Sequence, residues 1–350
     1  MSFSLVDASQ VLERNLSVFQ DLKCLLVNNP GDQLASALQS VGATSYSFSY
    51  HFGFHQQHSQ QLPANQCHYG TEVPEQWGQF DAVILYWPKE KPLATLLLEQ
   101  LLQCCHDSSV IYCVGGNKEG IKSAASVAKK IGMRSNKLDA ARHCSLYALP
   151  VASLQHKPTS KPLTSYEKRF TIEWRDQTIE LVTLPGVFSA EHLDAGTELL
   201  IADLPDDLGT KTVDFGCGCG VVSAILASQN RQRQVYSVDV NAFALLATQR
   251  TLAANQLTAT VYPVTGVEDI SQQQLSAIVT NPPFHQGVKT HYHVTENLIA
   301  KAPRLLSATG QLVLVANRFL QYPDLLEKAF KTTSRRSETS KFVVYQSRSC

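Results

Sequence analysis

Short apolar runs alternate with longer stretches of helical spacing along most of this chain. Runs rich in Val, Ile and Leu predict buried strands, and the stretches between them predict helices. The predicted strands are 24–27, 81–86 and 110–114 in the first half and 212–215, 234–238 and 276–280 in the second half. This alternation is typical of an α/β fold with a doubly wound, mostly parallel sheet.

Both halves of the chain show the same order of predicted elements, as though one domain had been duplicated. A chain of 350 residues is long enough for two domains that each bury a core. The segment 156–170 is polar and contains several lysines and prolines, which indicates a connector. We therefore predict an N-terminal domain over 1–155 and a C-terminal domain over 171–350, the latter beginning with a hairpin.

A glycine-rich loop follows the predicted strand 212–215. Gly216, Gly218 and Gly220 occupy every second position after the acidic residue Asp214, and a helical pattern begins at the next residue. Glycine places no Cβ in the way of a ligand and tolerates unusual dihedral angles, so the loop predicts a nucleotide-type site. The loop alone leaves an ordinary tight turn open as the alternative.

The spacing of these glycines indicates which nucleotide the loop binds. A dinucleotide fingerprint needs a glycine five residues after its first, but that position after Gly216 is Val221, which weakens NAD and FAD as ligands. The loop resembles instead the first motif of class I methyltransferases, whose ligand is S-adenosylmethionine. Asp239 ends the next predicted strand, where a carboxylate can accept both ribose hydroxyls.

The predicted strand 276–280 runs directly into Asn281, Pro282, Pro283 and Phe284. Two prolines hold the chain extended at the carboxyl end of the strand, where open α/β sheets place their ligands. The motif resembles that of methyltransferases acting on exocyclic or amide nitrogens. The side-chain oxygen of Asn281 and the carbonyl of Pro282 can accept the two hydrogens of such an amine, while Phe284 stacks on the base. An Asn-Pro turn without chemistry is the alternative.

Composition narrows the class of protein further. Thirty basic and thirty acidic residues balance, so the net charge identifies no partner. Nine cysteines occur without a CxxC pair or regular spacing, which argues against a zinc site and a disulfide framework, and we expect no metal. Because no apolar run approaches the length of a membrane span and the first residues show no targeting pattern, we expect a reduced, soluble, cytoplasmic protein without membrane contact.

Further motifs make the resemblance specific. Residues 184–189 read Leu-Pro-Gly-Val-Phe-Ser, and Asp194-x-Gly196-Thr197 follows before the glycine loop. With the Asn-Pro-Pro-Phe-His-x-Gly motif at 281–287, these occur in the order found in bacterial ribosomal RNA guanine-N2 methyltransferases, and the chain most resembles the small-subunit (16S) group. The resemblance covers nearly the whole chain. It implies two tandem class I methyltransferase-like (Rossmann-like) domains, of which the N-terminal one is degenerate and only the C-terminal one has an intact cofactor site.

The resemblance also implies roles for individual residues. Phe188, Ser189 and Thr197 would line the methionine end of the cofactor, Asp239 would bind its ribose, and the Asn-Pro-Pro-Phe motif would hold the target base. The implied cofactor residues are Phe188, Ser189, Thr197, Asp214, Gly216, Gly218, Gly220 and Asp239, and the implied catalytic residues are Asn281, Pro282 and Phe284.

One departure from the family pattern concerns the adenine of the cofactor. Residues 264–266 read Val-Thr-Gly where relatives often carry Asp or Asn to bind the adenine amine. Glu268 and Asp269 are the substitutes that the sequence offers nearby.

The implied substrate is one guanine of 16S rRNA, presented by the assembled small subunit to a monomeric enzyme. Because N2 of guanine lies in the minor groove of a helix, the target must be unpaired or flipped. Basic residues near the end of the chain can offset this cost through phosphate contacts. We predict RNA contacts at Arg318, Arg335, Arg336 and Lys341, with a solvated hairpin edge as the alternative.

The motifs leave other functions open. One is a methyltransferase that acts on a guanine of 23S rRNA, a protein glutamine or an adenine in DNA. Another is a non-enzymatic RNA-binding assembly factor that retains the fold without binding the cofactor.

Overall fold

The fold is described for residues 4–188, 192–282 and 289–349 from a computed structural model, with the side chains of 289–292 left out. The chain divides into two compact units, Met1–Tyr166 and Glu167–Cys350. This division falls inside the segment 156–170 that the sequence predicts as a connector. Residues of that segment bond within the first unit, because Lys157 Nζ donates to the carbonyl of Cys105 at 2.7 Å and Lys161 Nζ to Glu99 at 3.0 Å.

The first unit is a seven-stranded mixed sheet with helices. Its strands are β1 Lys23–Val27, β2 Thr44–Ser49, β3 Cys67–Tyr69, β4 Phe80–Tyr86, β5 Cys105–Gly116, β6 Asn136–Ala141 and β7 Cys144–Pro150. Its helices are α1 Asp7–Glu13, α2 Leu34–Gln39, α3 Phe52–His58, α4 Lys91–Leu101 and α5 Ala124–Lys130. The strand order is β3-β2-β1-β4-β5-β7-β6, parallel from β3 to β5 and antiparallel at β7 and β6.

The second unit begins with a two-stranded hairpin, β8 Lys168–Trp174 and β9 Gln177–Thr183, as the sequence predicts. The strands that follow are β10 Lys211–Phe215, β11 Gln234–Asp239, β12 Thr260–Pro263, β13 Leu275–Thr280, β14 Leu306–Asn317, β15 Thr332–Glu338 and β16 Phe342–Arg348. The helices are α6 Ala195–Ala202, α7 Val221–Gln229, α8 Ala242–Ala254, α9 Lys289–Leu305 and α10 Tyr322–Ala329.

The second sheet has the order β12-β11-β10-β13-β14-β16-β15, which repeats the first sheet strand for strand. The duplication and the α/β fold class predicted from the sequence are therefore confirmed. Strands β10 and β13 are buried almost throughout, as expected where both faces of a parallel sheet are covered by helices. Within the described residues, every helix is too short or too polar to cross a bilayer.

A buried carboxyl group lies beneath the glycine loop of the second unit. Asp214 on β10 is 2% exposed, and its Oδ2 accepts a hydrogen bond of 2.5 Å from Ser223 on α7. The hydroxyl of Ser223 also lies 2.6 Å from that of Ser237 on β11. Burial is the main cause that raises the pKa of Asp214 to about 7, and the bond from Ser223 opposes it. The carboxyl group of Asp214 and the hydroxyl of Ser223 together connect helix α7 with strands β10 and β11.

This raised pKa makes the stability of the protein depend on pH. The carboxyl of an unfolded Asp has a pKa of about 3.9. Between about pH 4 and pH 7, Asp214 is therefore protonated in the folded chain but ionised in the unfolded chain. The stabilising contribution is complete below the unfolded pKa and is lost as the pH rises through the folded value.

Asp214→Asn removes the titrating group and retains an oxygen that can accept from Ser223. We expect the stability of this variant relative to the natural protein to rise by up to about 1.4 kcal/mol per pH unit between about pH 4 and 7, and then to level off. Urea unfolding of both proteins across this range measures the effect. Ser223→Ala is the matched control, because it retains the carboxyl and should retain the pH dependence. Parallel curves for the natural protein and Asp214→Asn would contradict the assignment.

Candidate active site

Two neighbouring strands of the second sheet end side by side. In the parallel register of β10 and β13, Phe215 pairs with Thr280, the last residue of each strand. Thr280 is fully buried, and its Oγ1 donates to the carbonyl of Phe215 at 2.7 Å. The glycine loop and Asn281 therefore begin at the same level of the sheet. After β10 the chain forms β11 and β12 on one side of β10, and then crosses to form β13 on the other side. At such a reversal of strand order, an open α/β sheet has a crevice at its carboxyl edge.

The glycines of the loop do two different things. Gly216, Gly218 and Gly220 all have positive φ angles, of 78°, 56° and 82°. A Cβ built on Gly216 or Gly218 would meet no atom within 4 Å, whereas a Cβ on Gly220 would lie 3.0 Å from Cα of Thr248 on α8. The first two glycines leave open space for a ligand, and the third allows the loop to pack against a helix.

The cysteines between the glycines are buried. Cys217 and Cys219 are 6% and 4% exposed, and burial raises the pKa of both thiols, that of Cys219 to about 11. Both therefore stay protonated near neutral pH, which does not suit a nucleophile or a metal ligand. They act as small packing residues.

Asp239, at the end of β11, is bound to the glycine loop. Its Oδ2 accepts from the backbone N–H of Gly218 and its Oδ1 from that of Asn241, each at 3.0 Å. Burial raises the pKa of this carboxyl. A carboxylate has about four lone-pair sites, more than these backbone donors use, so it can also accept from a ribose hydroxyl. Asn241 donates from Nδ2 to the carbonyl of Gly186 at 2.9 Å and so links this edge to the segment that precedes Phe188.

Asn281 is held by residues at the start of α6. Its Nδ2 lies 2.9 Å from Oδ2 of Asp194 and 2.7 Å from Oγ1 of Thr197. Asp194 caps α6, since the same Oδ2 accepts from the backbone N–H of Thr197 at 3.0 Å. The structure thus brings Thr197 and Asn281 together, although the sequence assigned one to the cofactor and the other to the base.

Other predicted site residues are placed as follows. Phe188 is 55% exposed, and Pro282 is buried directly after Asn281. Ser189 and Phe284 lie outside the described residues. Asp214 lies beneath the loop with its Oδ2 bound to Ser223, which makes it a support for the loop.

The two acidic residues considered for the adenine both have partners within the protein. Asp269 Oδ2 accepts from the backbone N–H and the hydroxyl of Thr265 at 2.7 Å and 2.6 Å. Glu268 Oε1 accepts from Asn297 at 2.5 Å and is paired with Lys301. These bonds lower the pKa of Glu268, led by the one from Lys301.

The predicted RNA-contacting residues fall into two groups. Arg318 follows β14, and its backbone N–H donates to the carbonyl of Lys341 at 2.9 Å, so both lie at the carboxyl edge. Arg335 and Arg336 lie farther back on the edge strand β15. The guanidinium of Arg336 donates to the carbonyl of Asp203 at 3.0 Å, to its carboxylate at 3.1 Å and to Gln346 at 2.9 Å. These bonds hold Arg336 at three points, whereas Arg318 Nη1 donates to the carbonyl of Thr339 at 3.1 Å and lies 3.7 Å from Glu338.

The structure adds three residues to which the sequence analysis gave no role at the site. Asp194 and Asn241 each hold a predicted site residue or segment, and both are helix caps, so the capping pattern of a polar residue before an apolar stretch was the available signal. Phe319 is 59% exposed beside Arg318. A single exposed aromatic residue gives no signal in sequence. Within the described part of the chain, no group of three or more His, Cys, Asp or Glu residues is arranged to hold a metal.

Comparison with known proteins gives the same two-part division. The profile described as "Methyltransferase small domain N-terminal" matches residues 9–170, and that described as "Methyltransferase small domain" matches residues 178–346. A solved 16S rRNA N2 methyltransferase from T. thermophilus, in complex with AdoMet and guanosine, has a TM-score of 0.83 and covers 98% of this chain and 92% of its own. At 21% sequence identity, this likeness establishes the shared fold.

Two curated proteins named "Ribosomal RNA small subunit methyltransferase C" are similar along nearly the whole chain. The protein from Aliivibrio salmonicida (strain LFI1238) is 37% identical, covering 96% of this chain and 97% of its own. The protein from Stutzerimonas stutzeri (strain A1501) is 39% identical, covering 97% of this chain and 98% of its own. The chain therefore belongs to the ribosomal RNA small subunit methyltransferase C family.

Proposed function

We propose that this chain transfers a methyl group from S-adenosylmethionine to the exocyclic N2 amine of one guanine in 16S rRNA. The observation that carries the proposal is the bonding of Asn281. Both hydrogens of its side-chain amide face protein oxygens, so the oxygen Oδ1 is the group left to interact with a substrate. A hydrogen-bond acceptor at the carboxyl edge of the sheet can bind the hydrogens of a substrate amine. Membership of the methyltransferase C family supports the same reaction and the same class of RNA.

The residues at the carboxyl edge fit S-adenosylmethionine. Gly216 and Gly218 leave open space, and the carboxylate of Asp239 keeps acceptor capacity for a ribose hydroxyl. Phe188 and Ser189 remain the proposed contacts for the methionine end, whereas Thr197 reaches the site through Asn281. When bound, the cofactor supplies a methyl group already activated by its sulfonium.

The protein contributes to the proposed reaction through hydrogen-bond acceptors that bind the target amine. The lone pair of guanine N2 is delocalised into the ring, and it becomes available when the two hydrogens are held out of conjugation. Asn281 Oδ1 and the carbonyl of Pro282 are the proposed acceptors, with Phe284 stacked on the base. Because the methyl donor is already activated, correct in-line placement lowers much of the remaining barrier and no strong general base is needed.

We place the RNA-binding surface at the same edge as the base. Arg318 and Lys341 lie together there, and Arg335 extends the basic surface along β15. The exposed ring of Phe319 adds a face on which a flipped or neighbouring base can stack. Arg336, whose guanidinium is bonded to Asp203 and Gln346, supports this surface.

We further propose that the enzyme is a cytoplasmic monomer that acts on the assembled small subunit. The first unit would serve in substrate recognition or as a folding scaffold. Its first strand is followed by Asn28, Asn29, Pro30 and Gly31 instead of a glycine loop, which supports a non-catalytic role.

The two kinds of glycine predict different effects of the same substitution. Gly216→Ala places a Cβ in the open space that the cofactor is proposed to fill, so we expect the affinity for S-adenosylmethionine to fall by about tenfold or more. The positive φ angle at this position should also lower the free energy of unfolding by about 1 kcal/mol. Gly220→Ala also pushes against the backbone of Thr248, so we expect the larger fall in melting temperature. Calorimetric titration and thermal unfolding measure both. A Gly216→Ala variant that binds the cofactor as the natural protein does would refute this placement.

The proposed function is tested by the Asn281→Ala variant in methyl transfer to small subunits that lack their native modifications. We expect labelled methyl to enter the RNA with the natural protein and turnover to fall by about 100-fold or more in the variant, because the lost interaction belongs to the transition state. S-adenosylmethionine affinity should change by less than about twofold, since Asn281 is assigned to the base.

Glu198 is exposed on α6 and has no proposed role at the site, so Glu198→Ala is the control for a substitution near the site. Undiminished turnover in Asn281→Ala would remove Asn281 from the mechanism. Failure of the natural protein to label small-subunit RNA, with cofactor binding intact, would contradict the proposed substrate.

A further inference from the structure

Asn281 does not stand alone at the end of β13. Oδ2 of Asp194 accepts from the backbone N–H of Thr197 at 3.0 Å and from Nδ2 of Asn281 at 2.9 Å. Oγ1 of Thr197 lies 2.7 Å from the same Nδ2 and 3.4 Å from Oδ2 of Asp194. Thr197 is 8% exposed, and Asp194 and Asn281 are half-buried, so this network is partly shielded from water. Three residues from a helix start and a strand end therefore form one closed hydrogen-bond network.

The chemistry of the carboxylate fixes which way the amide of Asn281 points. An ionised carboxylate has no hydrogen to donate, so the part of the amide that faces Asp194 must be the NH₂ group. An amide oxygen in that place would set two acceptors against each other. The oxygen Oδ1 of Asn281 is consequently turned away from Asp194.

The donors of the amide are fully used. An asparagine NH₂ group has two hydrogens, and Asp194 and Thr197 supply two acceptors for them. The hydroxyl of Thr197 can accept from Asn281 because its own hydrogen can point toward Asp194. No hydrogen of Asn281 is then left for a substrate, and the group presents only an acceptor.

We propose that Asp194 and Thr197 are positioning residues that lock the amide of Asn281 with its oxygen toward the target amine. The inference rests on the proposed role of Asn281 and extends it to two residues that act through it. The terminal torsion of asparagine is broad and nearly two-fold, so an unheld amide would also populate the flipped state. The flipped amide would present NH₂ hydrogens to an amine and repel it.

Asp194 has a second role that a test must separate from positioning. As the cap of α6 it stabilises the helix, and loss of a cap costs about 1 kcal/mol. Asp194→Ser retains a capping hydroxyl but lacks the reach of a carboxylate toward Asn281. Thr197→Val removes the hydroxyl with little change of shape, and Thr197→Ser restores it. Glu198 is exposed on the same helix, so Glu198→Ala is the matched control for these substitutions.

The first test observes the amide directly and needs no substrate. The side-chain NH₂ signals of Asn281 in a ¹⁵N-labelled sample are assigned by their loss in Asn281→Ala, and their exchange with solvent is measured. We expect slow exchange in the natural protein, exchange faster by about tenfold or more in Thr197→Val and Asp194→Ser, and recovery in Thr197→Ser. Exchange unaffected by Thr197→Val and Asp194→Ser would overturn the proposal.

The second test asks whether the two residues act through Asn281. We expect Thr197→Val and Asp194→Ser each to lower kcat for methyl transfer to small subunits by about tenfold, with the Kd for S-adenosylmethionine changed by less than about twofold. In the Asn281→Ala background neither substitution should lower the residual rate further, because the amide they hold is absent. Single-turnover reactions with long incubation keep the low rates measurable.

The outcomes separate this inference from the proposed function. The positioning role would be overturned if Thr197→Val and Asp194→Ser lowered the residual rate of Asn281→Ala as much as they lower kcat of the natural protein. It would also be overturned if neither single variant changed kcat. Both results would leave the proposed reaction itself intact. If the natural protein methylates no guanine, the proposed function fails, and the exchange measurement still decides whether the amide is locked.

Discussion

The pairing of Phe215 with Thr280 sets the geometry of everything at the candidate site. These residues end two adjacent parallel strands, and the hydroxyl of Thr280 reinforces the pairing at 2.7 Å. Since the chain leaves β10 and β13 at one level, the glycine loop and Asn281 are neighbours although 65 residues separate them in sequence. In the proposed function, this arrangement would bring a cofactor at one strand end within reach of a base at the next, which is what methyl transfer requires.

Around this pairing, the buried and capping groups form a rigid support. Asp214 ties α7 beneath the loop, Asp239 holds the loop itself, and Asp194 holds Asn281. Each of these carboxyl groups accepts a hydrogen bond that fixes a backbone or side-chain donor, which preorganises the edge before any ligand arrives. The first unit repeats the strand order of the second without its glycine loop.

Much of this architecture could be predicted from the sequence because it depends on local patterns. The apolar runs gave the strands, and the duplicated order gave two α/β units. The glycine loop and the Asn-Pro-Pro-Phe motif each indicated ligand contacts, but not how they are held. The contact between Asp194 and Asn281 joins residues 87 positions apart, and no local pattern specifies such a pairing. For the same reason, the sequence could not show that Arg336 bonds to Asp203, or that Gly220 faces a helix while Gly216 faces open space.

The central claim is that this edge presents acceptors to an amine, and the chemical identity of the methylated nucleoside tests it most directly. Small subunits lacking native modifications would be incubated with the protein and labelled S-adenosylmethionine, and the RNA digested and resolved into nucleosides. The account predicts label in N2-methylguanosine. Label in N1-methylguanosine, N7-methylguanosine or a ribose-methylated nucleoside would contradict it, because none of these products forms on an exocyclic amine.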